Sequence, residues 1–448
     1  MSACVYVLDL DKRQNPTLRE QARAMVNERN RIEVRVLARR LELVDAQCIA
    51  EALQERASVR FRHTTLVLKV GAFASPDVAV TLGTNCTVRS IASYPIQHLG
   101  LMLRAALQPH QNMHVTLYLH TESQGLEEAL RASMAASTLV LRSETSSALS
   151  PSMRDALKSG IASAAADGAW KSITVEATHS AHSVSANDVL AAIAESGAKV
   201  TMLKCRTKLI SIGHQTMTSI SKIQGLERLA WFGGEIAFDI SEPFQAVLYR
   251  LKRLYLCNVS ACEIGVFHRL LAAASNLEHL NIACCEVGGD ALLRGLFACR
   301  APLPQLRTLT FFGQQLSDED VQDLCCIKSL QSISLKVGVL TGAQCVALVR
   351  ELPALESVVI RGREQLAWAK SVRTDLLHAA LASPRCPIVH ASRYVHNMTM
   401  EVRVVRDKLL AFMHSQRNAA GRFLRNDGDH ALMTRVVGFM QPLVDDRP

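Results

Sequence analysis

Six short runs of the chain share one pattern of apolar and polar positions. LERLAWF, LKRLYLC, LEHLNIA, LRTLTFF, LQSISLK and LESVVIR begin at Leu226, Leu251, Leu277, Leu306, Leu330 and Leu355. Apolar residues hold the first, fourth and sixth places, as in Leu251, Leu254 and Leu256, Leu277, Leu280 and Ile282, or Leu306, Leu309 and Phe311. The fourth and sixth places lie two apart, which puts them on one side of a short strand. The starts are separated by 25, 26, 29, 24 and 25 residues. Between them, Ser260 to Glu263, Ser317 to Asp320 and Thr341 to Gln344 pair a hydroxyl with an acid or amide three residues later. That spacing predicts a capped helix start. A helical apolar spacing follows, as at Phe267, Leu270 and Leu271 or Cys345, Leu348 and Leu352. The repeating unit is therefore strand, loop, capped helix, loop. Neither element can bury its apolar side alone, so stacking along the array must supply the core.

Weaker copies precede these six. Strands are expected at Val5, Leu8 and Leu10; Leu41 and Leu43; Leu66 and Leu68; Val88 and Ile91; Leu117 and Leu119; Leu139 and Leu141; Trp170, Ile173 and Val175; and Val200, Leu203 and Cys205. DAQCIAEAL, after Leu43, echoes GAQCVALV around Cys345. Helices are expected from Pro16 to Asn30, from Met153 to Ala166, and from Val189 to Ala194 with a cap at Ser185 to Asp188. The array of about fourteen parallel strands, helices outside, is expected to run continuously from Val5 to Ile388. Two arrays meeting at the linker-like SETSSALSPS, Ser143 to Ser152, are the alternative. Past Ala382 the pattern changes. RCPIVHAS offers a last strand, and apolar spacings from Val402 to Ser415 and after Asp429 predict helices. The expected organisation is a solenoid over 1–389 and a helical cap over 390–448 that seals the open end of the stack.

These residues resemble the leucine-rich-repeat family, and in particular its ribonuclease-inhibitor-like branch. Cys285 stands at the ninth, Asn-or-Cys place of LEHLNIACC, whereas Val259, Gln314, Gly338 and Arg363 depart from it. The resemblance implies an α/β solenoid, a horseshoe of parallel inner strands and outer helices, that binds a protein on its concave face.

Composition narrows the setting. Of 448 residues, 49% are hydrophobic and 20% charged, a balance that suits a folded chain rather than a disordered one. No run approaches the ~20 apolar residues of a membrane-spanning helix, and acids precede any apolar segment in MSACVYVLDLDKRQ, so neither a transmembrane segment nor a secretory signal is expected. The 13 cysteines are odd in number, scattered and free of CxxC spacing, which favours reduced core thiols and an intracellular (cytoplasmic) setting, or the cytosol of a host cell for a delivered effector. The net charge of +9 is uneven. Residues 361–448 hold 14 Lys/Arg against 8 Asp/Glu and residues 1–62 hold 12 against 9, while 63–360 balance at 24 and 24. Specific nucleic-acid binding is therefore not expected, and an acidic partner would be met weakly at the basic C-terminal end, around Arg403, Arg406, Arg417, Arg422 and Arg425.

Chemistry-bearing motifs are missing at their required spacings. His179 and His182, and His378, His390 and His396, have no Cys or carboxylate at zinc-ligand distance in sequence; Asp427 to Asp429 lacks the later calcium ligands. Gly233–Gly234 and Gly288–Gly289 lack a phosphate-loop context. No catalytic residue, metal or cofactor is expected, and the chain is not read as an enzyme. The positions flanking the buried ones remain. Of these, Arg228, Phe232, Arg253, Tyr255, His279, Asn281 and Phe312 have the aromatic and arginine character of interface hot spots. The expected function is a non-enzymatic protein-interaction scaffold for an unknown protein partner on that face. The alternative is an adaptor or regulator, such as a ubiquitin-ligase substrate adaptor or secreted effector, whose C-terminal helices recruit a second partner.

Overall fold

The computed structural model describes residues 4–10, 32–57, 64–84, 90–94, 96–107, 113–119, 125–133, 136, 138–143, 147–166, 172–177, 183–207, 211–212, 214–236, 242–261, 264–287, 290–291, 303–312, 316–337, 341–362, 379, 383 and 388–393. The chain divides into two compact units, residues 1–247 and 248–448.

The first unit alternates strands and helices. Its strands are β1 (Cys4–Asp9), β2 (Ile32–Leu41), β3 (Thr64–Phe73), β4 (Ser90–Ser93), β5 (His114–Leu119), β6 (Thr138–Ser143), β7 (Ile173–Ala177), β8 (Met202–Thr207) and β9 (Arg228–Phe232). They lie side by side in sequence order, every neighbour parallel. The helices are α1 (Leu43–Ala57), α2 (Pro76–Thr84), α3 (Leu99–Leu107), α4 (Leu126–Ala132), α5 (Pro151–Ala166), α6 (Ser183–Glu195) and α7 (His214–Lys222), each packed on the next. Helix α8 (Glu242–Arg250) follows. In the second unit β10 (Arg253–Cys257), β11 (His279–Ala283), β12 (Thr308–Phe312), β13 (Ser332–Val337), β14 (Ser357–Gly362) and β15 (Ile388–Arg393) again form a parallel sheet in sequence order. Its helices are α9 (Ile264–Ala273), α10 (Asp318–Cys325) and α11 (Gly342–Glu351). This is the strand–helix repeat of a leucine-rich-repeat solenoid.

The leucine pattern makes the fold because the register aligns it. Leu254, Leu280, Leu309, Ile333 and Val358 occupy one row across the strands of the second unit, and Leu256, Ile282, Phe311 and Leu335 a second row two residues on. All of them are buried. The first unit repeats the device with Val34, Leu66, Ile91, Val115, Leu139, Ile173, Leu203 and Leu229, beside Leu8, Val36, Leu68, Ser93, Leu117, Leu141, Val175, Cys205 and Trp231. Each row loses its water on stacking, which is where most of the stabilisation arises. Ser93 enters its row by returning its hydroxyl to the Tyr94 carbonyl at 2.9 Å.

Several local expectations change. The strand expected to end at Leu41 and Leu43 instead sets Val34 and Val36 in the core rows, and Leu43 opens α1, exposed. At β1 the row position belongs to Leu8, while Val5 is exposed, because Leu8 pairs Val36. At β5 the rows take Val115 and Leu117, with Leu119 buried one step further. Ser317 and Thr341 form full capping boxes with Asp320 and Gln344. Ser260 does not cap α9; it sits in a two-residue strand, Ser260–Ala261, parallel to Glu286–Val287. Ser185 lies inside α6, and Asp188 accepts instead from the Leu149 amide at 2.9 Å, with Arg154 at 3.5 Å. That contact ties α6 to the turn before α5, and β6 and β7 pair directly across the SETSSALSPS stretch, so the array does not part there. The last strand expected in RCPIVHAS is β15, parallel to β14. The helix expected over Pro16 to Asn30 and the cap helices with their arginines lie outside the described residues.

Glycine sets the spacing of the helix layer. A Cβ on Gly83 of α2 would stand 2.3 Å from the Met102 carbonyl oxygen of α3, closer than real contacts allow. Gly125, at φ +83°, turns the chain into α4 where a Cβ would strike the Ile96 carbonyl at 2.3 Å.

Candidate functional site

On each strand the residue after the second buried position returns to the opposite, strand-side face. In the first unit these residues are Tyr94, immediately after β4, then Tyr118, Arg142, Glu176, Arg206 and Phe232 on β5 to β9. Register places Tyr118 beside Arg142, Arg142 beside Glu176, Glu176 beside Arg206, and Arg206 beside Phe232. Six residues distant in sequence thus form one row across six strands.

Contacts join the row. The Tyr94 and Tyr118 rings stand 5.2 Å apart, tilted by 38°, within the range of favourable aromatic pairs. Tyr94 and Tyr118 pack on Val67 and Ala92, an apolar cluster on this face outside the main core. The Arg142 guanidinium lies 5.4 Å from the Tyr118 centroid and donates to Glu176 Oε2 from Nε at 2.9 Å and from Nη2 at 2.5 Å. Arg206 Nη1 donates to Glu176 Oε1 at 3.2 Å, and its guanidinium lies 5.3 Å from the Phe232 centroid. One carboxylate therefore holds two guanidiniums, each of which also rests on an aromatic ring. The Glu176 side chain is 10% exposed against 57% for Arg206. The carboxylate is the floor of the row and Arg206 reaches solvent.

The electrostatics around the row are cationic. Strands β5 to β9 carry Arg142, Lys204, Arg206 and Arg228 against Glu176 alone, with His114 as a further titratable group. Lys204 sits two residues before Arg206, between Thr174 and Ala230 in register, and makes no ion pair among the described residues. Partial burial and then the charge of Arg206 lower its pKa. Partial burial and then the charge of Lys204 lower the pKa of His114. Positive charge is crowded here, so further cationic charge is disfavoured.

The seven residues singled out from the sequence divide between the units. Arg228 and Phe232 belong to β9, where Phe232 ends the row just described. Register brings Arg253 beside His279 and Tyr255 beside Asn281 on β10 and β11, while Phe312 aligns with Ala283. Of the seven only Arg228 is exposed; Phe232, Tyr255 and Phe312, expected as open aromatics, are half-buried, since neighbouring strands only about 4.8 Å away cover their flanks. Sequence reasoning missed Tyr94, Tyr118, Arg142, Glu176, Arg206 and Lys204. Their signal was available: all but Lys204 directly follow the sixth place of a repeat. Among the described residues, no group of three or more His, Cys, Asp or Glu could hold a metal ion. At the ninth place, Cys285 is buried and its thiol donates to the Leu256 and Ala283 carbonyls at 3.6 Å each.

No family model matches the sequence, and no curated protein matches it. Solved structures do resemble the fold. An internalin of Listeria monocytogenes is 13% identical with a TM-score of 0.37, over 73% of this chain and 78% of that one. A chain of the mouse RP105/MD-1 complex is 14% identical at 0.37, over 87% and 66%. A chain of the Drosophila Toll–Spatzle complex is 12% identical at 0.31, over 83% and 42%. The fold assignment rests on the register of the chain's own strands. Among the described residues no helix is long and apolar enough to cross a membrane.

Proposed function

We propose that this protein is a non-enzymatic scaffold that binds a protein partner on the strand-side face of its repeats. The observation that carries the reading is the row from Tyr94 to Phe232. Its aromatic and arginine side chains are the types that dominate interface energetics, and they are already held by Glu176 and by one another, so little side-chain freedom remains to be lost on binding. Arg253, Tyr255, His279, Asn281 and Phe312 extend the reading to the second unit by composition. A full helix in most repeats supports the ribonuclease-inhibitor-like reading. Buried thiols support an intracellular setting: burial pushes Cys285 and Cys345 up to about 12, so neither presents a thiolate at neutral pH. The adaptor alternative depends on residues 394–448, which lie outside the described residues.

The test is affinity capture of partners with the full chain and two variant pairs, Arg206→Ala with Phe232→Ala and Tyr255→Ala with Phe312→Ala. Loss of the same partners from a folded variant of either pair supports the face. Unchanged recovery with both pairs would remove it.

A further inference from the structure

The scaffold reading leaves the partner's chemistry open, and the first unit's face narrows it. From the end of β4 to β9 the aromatic floor lies on one side, at Tyr94 and Tyr118, and the cations gather on the other, at Arg142, Lys204, Arg206 and Arg228. Glu176 satisfies Arg142 and one edge of Arg206. Arg206 spends one of a guanidinium's five donors on that bond, and its side chain is mostly exposed. Phe232 supports the guanidinium from β9, its ring centroid 5.3 Å away. One rung away, Lys204 is flanked by Thr174 and Ala230, two small buried residues, and among the described residues its ammonium has no ion-pair partner.

We propose that Lys204 and Arg206, adjacent on the same face of β8, anchor the carboxylates of an acidic, extended segment of a protein partner. This rests on the scaffold reading and goes further by naming the anchor and the partner's charge. A carboxylate between the two side chains accepts from the Lys204 ammonium and from the solvent-exposed edge of the Arg206 guanidinium, both as charge-assisted hydrogen bonds. It also relieves the crowding of Lys204 by Arg206. From β4 to β9 the row spans five strand spacings, roughly 24 Å, the length of about seven extended residues. A segment laid along it with acids over β8 reaches the Tyr94–Tyr118 floor with an apolar residue at its other end.

A protein segment suits the face better than a nucleic acid does. Glu176 stands in the middle of the row, where a phosphate backbone would meet a fixed negative charge, and residues 63–360 carry no net excess of cations to draw one in.

The experiment is fluorescence anisotropy of a labelled octapeptide, with glutamates at one end, serines between and leucines at the other, with the full chain, in competition with an unlabelled thymidine oligonucleotide. Lys204→Gln and Arg206→Gln are compared with wild type, with circular dichroism confirming that each is folded. The triple change Arg417→Gln, Arg422→Gln, Arg425→Gln tests the basic C-terminal end. Each β8 change is expected to weaken the peptide by about tenfold, the triple change to leave it unaltered, and the oligonucleotide to fail to displace it. Wild-type affinity in both β8 variants, loss in the triple variant alone, displacement by the oligonucleotide, or no binding of the peptide would each overturn the proposal. Absent peptide binding with partner capture still lost in Arg206→Ala with Phe232→Ala removes the acidic anchor alone. Capture unchanged in that pair and in the Tyr255 and Phe312 pair removes the scaffold reading as well.

Discussion

Arg142 grips Glu176 through two nitrogens, Nε at 2.9 Å and Nη2 at 2.5 Å, across a gap of 34 residues in sequence. Arg206 holds the other oxygen of the same carboxylate. Removing the carboxylate therefore does more than delete three bonds, because it leaves two guanidiniums without the charge between them. Glu176→Gln is expected to destabilise the protein by about 1–3 kcal/mol, less than a fully buried pair because both arginines touch water. A double-mutant cycle with Arg142→Ala, read by urea denaturation, should give a clear coupling energy. Additive effects would show that the contact contributes nothing.

The leucine rows make a second prediction. Leu280 lies between Leu254 and Leu309 in register and is buried. Leu280→Ala should cost roughly 2–5 kcal/mol, since the row cannot close over the lost methyls. Denaturation of the isolated variant measures it. A loss below 1 kcal/mol would mean that the sheet repacks freely.

Backbone geometry makes a third. Gly125 combines positive φ with a carbonyl in the path of any Cβ. Gly125→Ala should destabilise by about 1–3 kcal/mol through strain at that turn, whereas Ala at Gly197, also at positive φ but with no atom near the added carbon, should cost less. The ranking of the two melting temperatures is the check.

The fourth concerns pH. His114 titrates below its usual 6.5 because of partial burial and the charge of Lys204. The folded protein then binds this proton less tightly than the unfolded chain does. Its share of stability is intact above 6.5 and declines as pH falls through that value towards the lower folded pKa. Histidine NMR titration should show the low pKa, and Lys204→Gln should raise it. A value at or above 6.5 would mean that the crowding of positive charge does not reach His114.

Most of the fold was legible because the apolar places of six repeats are strong and two apart, so only one strand frame buries them. The frame blurs where alternatives exist. IEVRVLARRLELV offers apolar residues at Ile32, Val34, Val36, Ala38, Leu41 and Leu43, and only pairing with Leu66 and Leu68 selects Val34 and Val36. At β5 three alternating residues, Val115, Leu117 and Leu119, are all buried, so hydrophobicity alone cannot choose two. The Ser260 cap gives way to a strand pairing with Glu286, and in the Ser185 to Asp188 box Asp188 accepts from the Leu149 amide while Ser185 lies inside α6. The row of contacts was harder to see. Its members are separated by 24, 24, 34, 30 and 26 residues, and uneven loops hide an alignment that only strand register creates.

The central claim is that partners meet the strand side of the repeats. Site-specific photo-crosslinking tests it most directly, with a benzophenone side chain at Phe232, which ends the row, or at Val80, which is exposed on α2 in the helix layer. The account predicts a covalent adduct with the captured partner from position 232 and none from position 80. An adduct from position 80 with none from 232 would contradict it.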